Sequence, residues 1–208
     1  MKRIAVLVSG GGTNLQALLD AKNRGEIPNG EFALVVSSSP DAYALTRAAK
    51  AGVPGIVVNR REYASNREMT IALTALLQER QIDLVVLAGF MYILTGELVD
   101  AFPNAIINVH PALIPSFCGE GCYGLHVHEK ALAYGVKVSG ATVHFVSEEC
   151  DGGPIILQKA VPVEEGDTPE VLQRRIMEQA EWIIMPQAVS LFCDDRLRVE
   201  GRIVHILN

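Results

Sequence analysis

The alternation of short apolar runs with amphipathic segments constrains this chain most. RIAVLVS (3–9), FALVVSS (32–38), GIVV (55–58), DLVVLAGF (83–90) and AIINVH (105–110) are strand-like. Between them lie stretches with apolar residues at helical spacing, among them NLQALLDAKNRG (14–25), AYALTRAAKAG (42–52) and REMTIALTALLQER (67–80). A strand that is apolar throughout is buried on both faces. A helix between two strands makes a crossover, which joins parallel neighbours. The first half is therefore expected to form an α/β fold: an open, mostly parallel Rossmann-like sheet with helices on both faces.

The pattern then changes. KVSGATVHFV (137–146) and PIILQKAVPV (154–163) are longer and partly alternating, joined by SEECDGG (147–153). They read as a hairpin, an antiparallel C-terminal extension of the sheet. A long helix is expected from Thr168, its cap, through Phe192, with Pro169 in its first turn and Pro186 kinking or interrupting it. Trp182 and Met185 on that helix read as core. RLRVEGRIVHI (196–206) closes the sequence as a small hairpin around Glu200 and Gly201.

Charge and hydropathy narrow the function classes. With Lys+Arg 18 against Asp+Glu 24 there is no basic footprint for nucleic acid. No apolar stretch approaches membrane-spanning length, and the run in MKRIAVLVSG is too short for a signal peptide and flows into a glycine loop. Cys118, Cys122, Cys150 and Cys193 read as reduced thiols of a cytoplasmic protein. A single domain over residues 1–208 is expected, as a monomer or weak homodimer acting on small molecules.

SGGGTN (9–14) lies between the first strand and the first helix. Glycines let a backbone approach an anion, and free N–H groups at a helix start can hold one. A dinucleotide fingerprint would need glycine where Leu15 stands, and a P-loop would need a Gly-Lys-Ser/Thr that is absent. A lone phosphate fits better; a tight turn capped by Thr13 or Asn14 is the alternative.

NVHPALIPS (108–116) places Asn108 and His110 on one side of an extended strand, at its carboxyl end. Asp151, in CDGGP (150–154), sits at a glycine-rich bend. An amide donor, an imidazole and a carboxylate suit acyl chemistry: the amide for an oxyanion, the imidazole for a proton, and the carboxylate to raise the imidazole pKa. No serine or cysteine is obviously paired with His110, so direct attack by a substrate amine is expected rather than a covalent intermediate. Each residue taken alone is more simply a buried polar turn.

The motifs SGGGTNLQAL, VVLAGFMYIL, INVHPALIPSF, GATVHFV and DGGPIILQ, in that order, resemble the folate-dependent phosphoribosylglycinamide formyltransferase family of purine biosynthesis. The resemblance spans nearly the whole chain. It implies transfer of a formyl group from 10-formyltetrahydrofolate, a co-substrate, to the amine of 5-phosphoribosylglycinamide, with no metal. It implies a nucleotide-phosphate-binding half (1–110) and a folate-binding and catalytic half (111–208). Asn108, His110 and Asp151 match the catalytic trio, and Gly12, Thr13 and Asn14 the phosphate loop. Met91, Tyr92, Ile93 and Leu94 match the folate-pocket segment, to which Asn108 also belongs. Ser147, Glu148, Glu149, Cys150 and Asp151 match the loop that closes over the pteridine. Tyr92 stands where the family often has arginine. Arg67 matches a pocket arginine only after a one-residue shift. Glu181 matches the acidic residue on the ribose side when Pro186 is aligned, whereas Ala180 falls there without a gap.

Other readings compete. Cys118, Cys122, His126 and His128 are spaced as zinc ligands can be, but they lie in a glycine-rich loop running into a helix, and the resemblance implies no metal. His144 reads as a packed or hydrogen-bonded strand residue. Formyltetrahydrofolate deformylase would use water in place of the amine and usually carries a further N-terminal domain. Methionyl-tRNA formyltransferase would need a basic face and a further C-terminal domain. A non-catalytic nucleotide-binding module would use the glycine loop alone.

Overall fold

In the computed structural model all 208 residues are described. Lys2–Val8 (β1), Gly30–Ser37 (β2), Gly55–Val57 (β3), Leu84–Leu87 (β4) and Ile106–His110 (β5) pair in parallel in the order β3-β2-β1-β4-β5. The crossovers carry Thr13–Asn23 (α1), Tyr43–Lys50 (α2), Asn66–Glu79 (α3) and the short Gly96–Ala101 (α4). The chain leaves β1 toward β2 and β3, then returns to the other side of β1 with β4. This reversal opens a crevice at the carboxyl ends of β1 and β4, where open α/β sheets bind ligands.

The antiparallel extension continues the same sheet. Val138–Phe145 (β6) pairs antiparallel with β5, and Ile155–Pro162 (β7) with β6. Leu197–Glu200 (β8) and Ile203–Ile206 (β9) form the terminal hairpin, and β9 joins β7 through Ile155 and Ile203. The result is one nine-stranded sheet. The boundary expected at residue 110 is the end of β5, a strand hydrogen-bonded to β6 beyond it.

Alternation along β1 divides the core. Ile4, Val6 and Val8 join a cluster of 32 buried residues with Leu15, Leu18 and Leu19 of α1 and the C-terminal helix. Ala5 and Leu7 face the other way, into a cluster of 13 with Met69, Leu73 and Leu77 of α3 and Leu98 of α4. The spacing i, i+3, i+4 on α1 and i, i+4, i+8 on α3 turns one stripe of each helix to the sheet. Each fully buried leucine or isoleucine contributes about 1.5–3 kcal/mol. No helix is long and apolar enough to cross a membrane.

The C-terminal helix departs from expectation at one place. Thr168 caps it by accepting from Val171 N–H at 3.3 Å, with Pro169 in the first turn. Pro169–Ile176 (α6) and Trp182–Cys193 (α7) are joined without a break by a π turn, Met177–Glu181. Pro186 lies inside α7, so the irregularity falls a turn upstream of the proline. Proline cannot donate to the carbonyl four residues back, and its ring crowds that turn. The π turn lies upstream of the Trp182 carbonyl that the proline leaves unbonded, and it carries the buried Glu181. Met185 is core, as expected; Trp182 is only half-buried, with its indole N–H buried and unpartnered.

Candidate active site

The glycine loop follows β1. Gly12 has φ +71 and is the residue before α1, so neither Thr13 nor Asn14 caps that helix. The Gly12 carbonyl accepts from Gln16 N–H at 2.9 Å, whereas the N–H groups of Gly11, Gly12, Thr13 and Asn14 have no protein acceptor. A run of free N–H groups at a helix start is an anion cradle. Asn14 then turns to the C-terminal helix. Its Nδ2 donates to Glu181 Oε2 at 2.8 Å, while its Oδ1 is buried without a partner. Burial pushes the Glu181 carboxyl up, against the opposing hydrogen bond from Asn14. Ala180, also fully buried, offers no polar atom, so Glu181 is the residue brought to the loop.

β4 ends beside this loop. Ser9 Oγ accepts from Met91 N–H at 2.9 Å and from the Ser38 hydroxyl at 2.6 Å. Met91 and Ile93 are exposed, while Tyr92 packs edge-on against Phe90 with ring centroids 6.1 Å apart. Arg67 lies on α3, its Nε bonded to Glu97 of α4. The Thr95 hydroxyl and then Arg67 hold the Glu97 carboxyl down at about 2.

The polar cluster is built across β5 and β6. Asn108 stands opposite His144, and His110 opposite Thr142, so alternation puts all four side chains on one face. His144 Nδ1 lies 2.8 Å from the Phe145 carbonyl, which can only accept, so this nitrogen carries the proton in the neutral ring. Its Nε2 is then an acceptor and takes a hydrogen bond from Asn108 Nδ2 at 3.2 Å. That contact fixes which way the Asn108 amide points and leaves its second N–H free. By the same reasoning His110 Nε2–H donates to the Phe117 carbonyl at 2.8 Å, leaving Nδ1 to face Asp151 Oδ2 at 3.5 Å.

Asp151 closes the cluster from the 147–153 loop. Its Oδ2 accepts from Gly119 N–H at 3.0 Å and its Oδ1 lies 3.7 Å from His144 Nε2. The residue has φ 54, a left-handed conformation that aspartate tolerates better than most. Burial opposes its ionisation, but the rings of His144 and His110, in their protonated forms, and the Gly119 N–H outweigh burial and hold the carboxyl below its usual range. Ser147, Glu148, Glu149 and Cys150 form the rim of this loop, tightened by Gly152 N–H donating to the Glu149 carbonyl at 3.0 Å.

The Asp151 charge acts on His110 in the expected direction, raising its pKa, but it does not set the net shift. Burial is the larger effect and pushes the ring below its ordinary value, with the Asp151 charge only partly opposing. His110 is therefore neutral at pH 7. His144, expected to be a hydrogen-bonded strand residue, is one, but its partners are the site itself. The signal for it was its place opposite Asn108, which requires the β5–β6 register.

Of the spaced cysteines and histidines, His126 is exposed beside Glu129, and Cys122 takes a contact from Lys130 Nζ at 3.1 Å. His128, on Leu125–Tyr134 (α5), is fully buried with both ring nitrogens unpartnered; burial and then His110 push it down to about 4. The surface hollows at the C-terminal hairpin and at the amino end of β1 contain none of the cluster.

The Formyl transferase family model matches residues 2–189. A phosphoribosylglycinamide formyltransferase from Haemophilus influenzae is 42% identical over 99% of this chain and 94% of its own. The crystal structure of glycinamide ribonucleotide transformylase 1 from Symbiobacterium toebii is 50% identical, with a TM-score of 0.94 over 100% of this chain and 95% of that one. A formyltetrahydrofolate deformylase from Pseudomonas syringae is more distant, 27% identical with a TM-score of 0.87, and this chain spans 66% of it.

Proposed function

This chain belongs to the formyl transferase family, and from that premise we propose how its residues carry out the reaction. It is a phosphoribosylglycinamide formyltransferase of purine biosynthesis, with a formyl-folate as co-substrate. In this reading the donor is 10-formyltetrahydrofolate and the acceptor is the amine of 5-phosphoribosylglycinamide. The observation that carries the reading is the chain of contacts Asn108–His144–Asp151–His110, at the carboxyl edge of the parallel strands.

The phosphate sits on the N–H groups of Gly11 to Asn14, and the part-buried Asn14–Glu181 pair meets the sugar hydroxyls. The exposed apolar side chains of Met91 and Ile93 wall the pteridine, with Tyr92 and Leu94 behind them, and the 147–153 loop covers it. Arg67, its charge shared with Glu97, is assigned to the same folate pocket.

The amine nitrogen attacks the formyl carbon, and a C–N bond forms as the carbonyl π pair moves to oxygen. The free N–H of Asn108 donates to that oxyanion. Neutral His110 takes the ammonium proton on Nδ1, and the imidazolium is then paired with Asp151. Collapse of the intermediate breaks the bond to the folate N10, which receives the proton. His110 ends neutral, and formylated product and tetrahydrofolate leave. An oxyanion donor of this kind is worth about 100-fold or more in rate.

The test follows loss of the formyl group from 10-formyltetrahydrofolate with and without 5-phosphoribosylglycinamide. Turnover that requires the amine substrate is the expected result. Formate release in its absence would make the chain a deformylase, and no turnover with either would overturn the reading.

A further inference from the structure

We infer that Arg47 of α2 is a positioning residue for the substrate phosphate, acting through the peptide plane between Gly11 and Gly12. The inference rests on the glycine loop being the phosphate site of the proposed reaction. A trans peptide holds its C=O and N–H on opposite sides, so fixing a carbonyl aims the N–H of the next residue. Three successive planes of the loop are fixed in this way. The Gly10 carbonyl accepts from Ala44 N–H at 3.1 Å, the Gly11 carbonyl from Arg47 Nε at 2.8 Å, and the Gly12 carbonyl from Gln16 N–H at 2.9 Å. The N–H groups of Gly11, Gly12 and Thr13 are thereby turned away from these anchors, and none has a protein acceptor.

The middle anchor is the only one of the three made by a side chain. Its guanidinium is held on two further sides: Nη1 donates to Gln16 Oε1 at 2.9 Å, and the group stacks over the Tyr43 ring at 5.0 Å. The plane it holds joins two glycines, whose backbone turns over more readily than any other. If that plane flips, a carbonyl oxygen replaces an N–H in front of the phosphate, and repulsion replaces a charge-assisted hydrogen bond. Close packing completes the buttress, since a Cβ on Gly12 would lie 2.7 Å from Ala44 Cβ. α2 is thus the wall against which the loop is shaped.

The test pairs the residue with the substrate group it is said to serve. Steady-state kcat/KM is measured for wild type, Arg47→Ala and Arg47→Lys, with 5-phosphoribosylglycinamide and with its dephosphorylated analogue. The expected result for Arg47→Ala is a loss of about tenfold with the phosphorylated substrate, the value of one net hydrogen bond. It appears mainly in KM for that substrate. The loss with the dephosphorylated analogue stays within about twofold, because no phosphate is there to be misplaced. KM for the folate donor does not move. Arg47→Lys keeps the charge but not the fork between Gly11 and Gln16, so it does not restore the tenfold.

Equal losses on both substrates would reduce Arg47 to general scaffolding, and full rescue by lysine would make it a bare charge; either overturns the inference. An Arg47→Ala protein too unstable to assay leaves the lysine variant to decide the same comparison. Failure of wild type to use the phosphorylated substrate at all would instead remove the underlying function, and this inference with it.

Discussion

At the residue scale the site turns on how one imidazole is held. The Phe117 carbonyl occupies His110 Nε2–H, so Nδ1 is left as the basic nitrogen, with the Asp151 carboxylate 3.5 Å away. Burial lowers the His110 pKa below 6.5 and Asp151 pulls part of the way back. If neutral His110 is the base, the acid limb of kcat/KM lies below pH 6.5. Asp151→Asn removes the charge that raised the pKa, so the limb moves to still lower pH while the plateau falls by about 100-fold. Superimposable pH profiles for wild type and Asp151→Asn would remove Asp151 from the mechanism. Asn108 and His110 were legible in the sequence because alternation in an extended strand is local. The work of His144 was not, since Asn108 finds it only across the β5–β6 register.

At the scale of elements, two irregular turns set the site. The 147–153 loop doubles back so tightly that a Cβ on Gly153 would stand 1.8 Å from the Phe145 carbonyl oxygen. Gly153→Ala must open this turn, which carries Asp151. The expected result is a loss of about 2 kcal/mol or more in unfolding free energy, together with a loss of kcat. Denaturant titration and kinetics on the same sample check it; an alanine protein of wild-type stability and rate would mean the turn has room to relax. The π turn at Met177–Glu181 is the second device. Pro186 announced an irregularity in the sequence. It did not announce that the helix would continue through the proline with the extra width one turn earlier, because that choice follows from what the helix packs against.

For the whole molecule, the crevice is assembled from the ends of β1, β4 and β5, the β6–β7 connection and the C-terminal helix. Its buried histidines also link pH to stability. His128 is held at about 4 in the folded state, below its ordinary 6.5, so the unfolded chain binds the proton more readily. Stability is therefore full above pH 6.5 and declines as pH falls toward 4. Between pH 7 and 5 this one group removes about 2 kcal/mol. His128→Gln, unfolded in urea at both pH values, is expected to lose less than wild type by that amount; an equal decline would mean that His128 is not the group responsible. The parallel half, the glycine loop, the antiparallel change of character after residue 137 and the pair Asn108–His110 were all legible along the chain. These follow from periodicity and from local backbone freedom, which act over a few residues. That Glu181 rather than Ala180 meets Asn14, that Arg47 fixes a loop 36 residues before it, and that burial outweighs Asp151 at His110 emerge once the chain is packed. Those outcomes depend on strand register, helix phase and desolvation, which are properties of the packed chain rather than of any stretch of it.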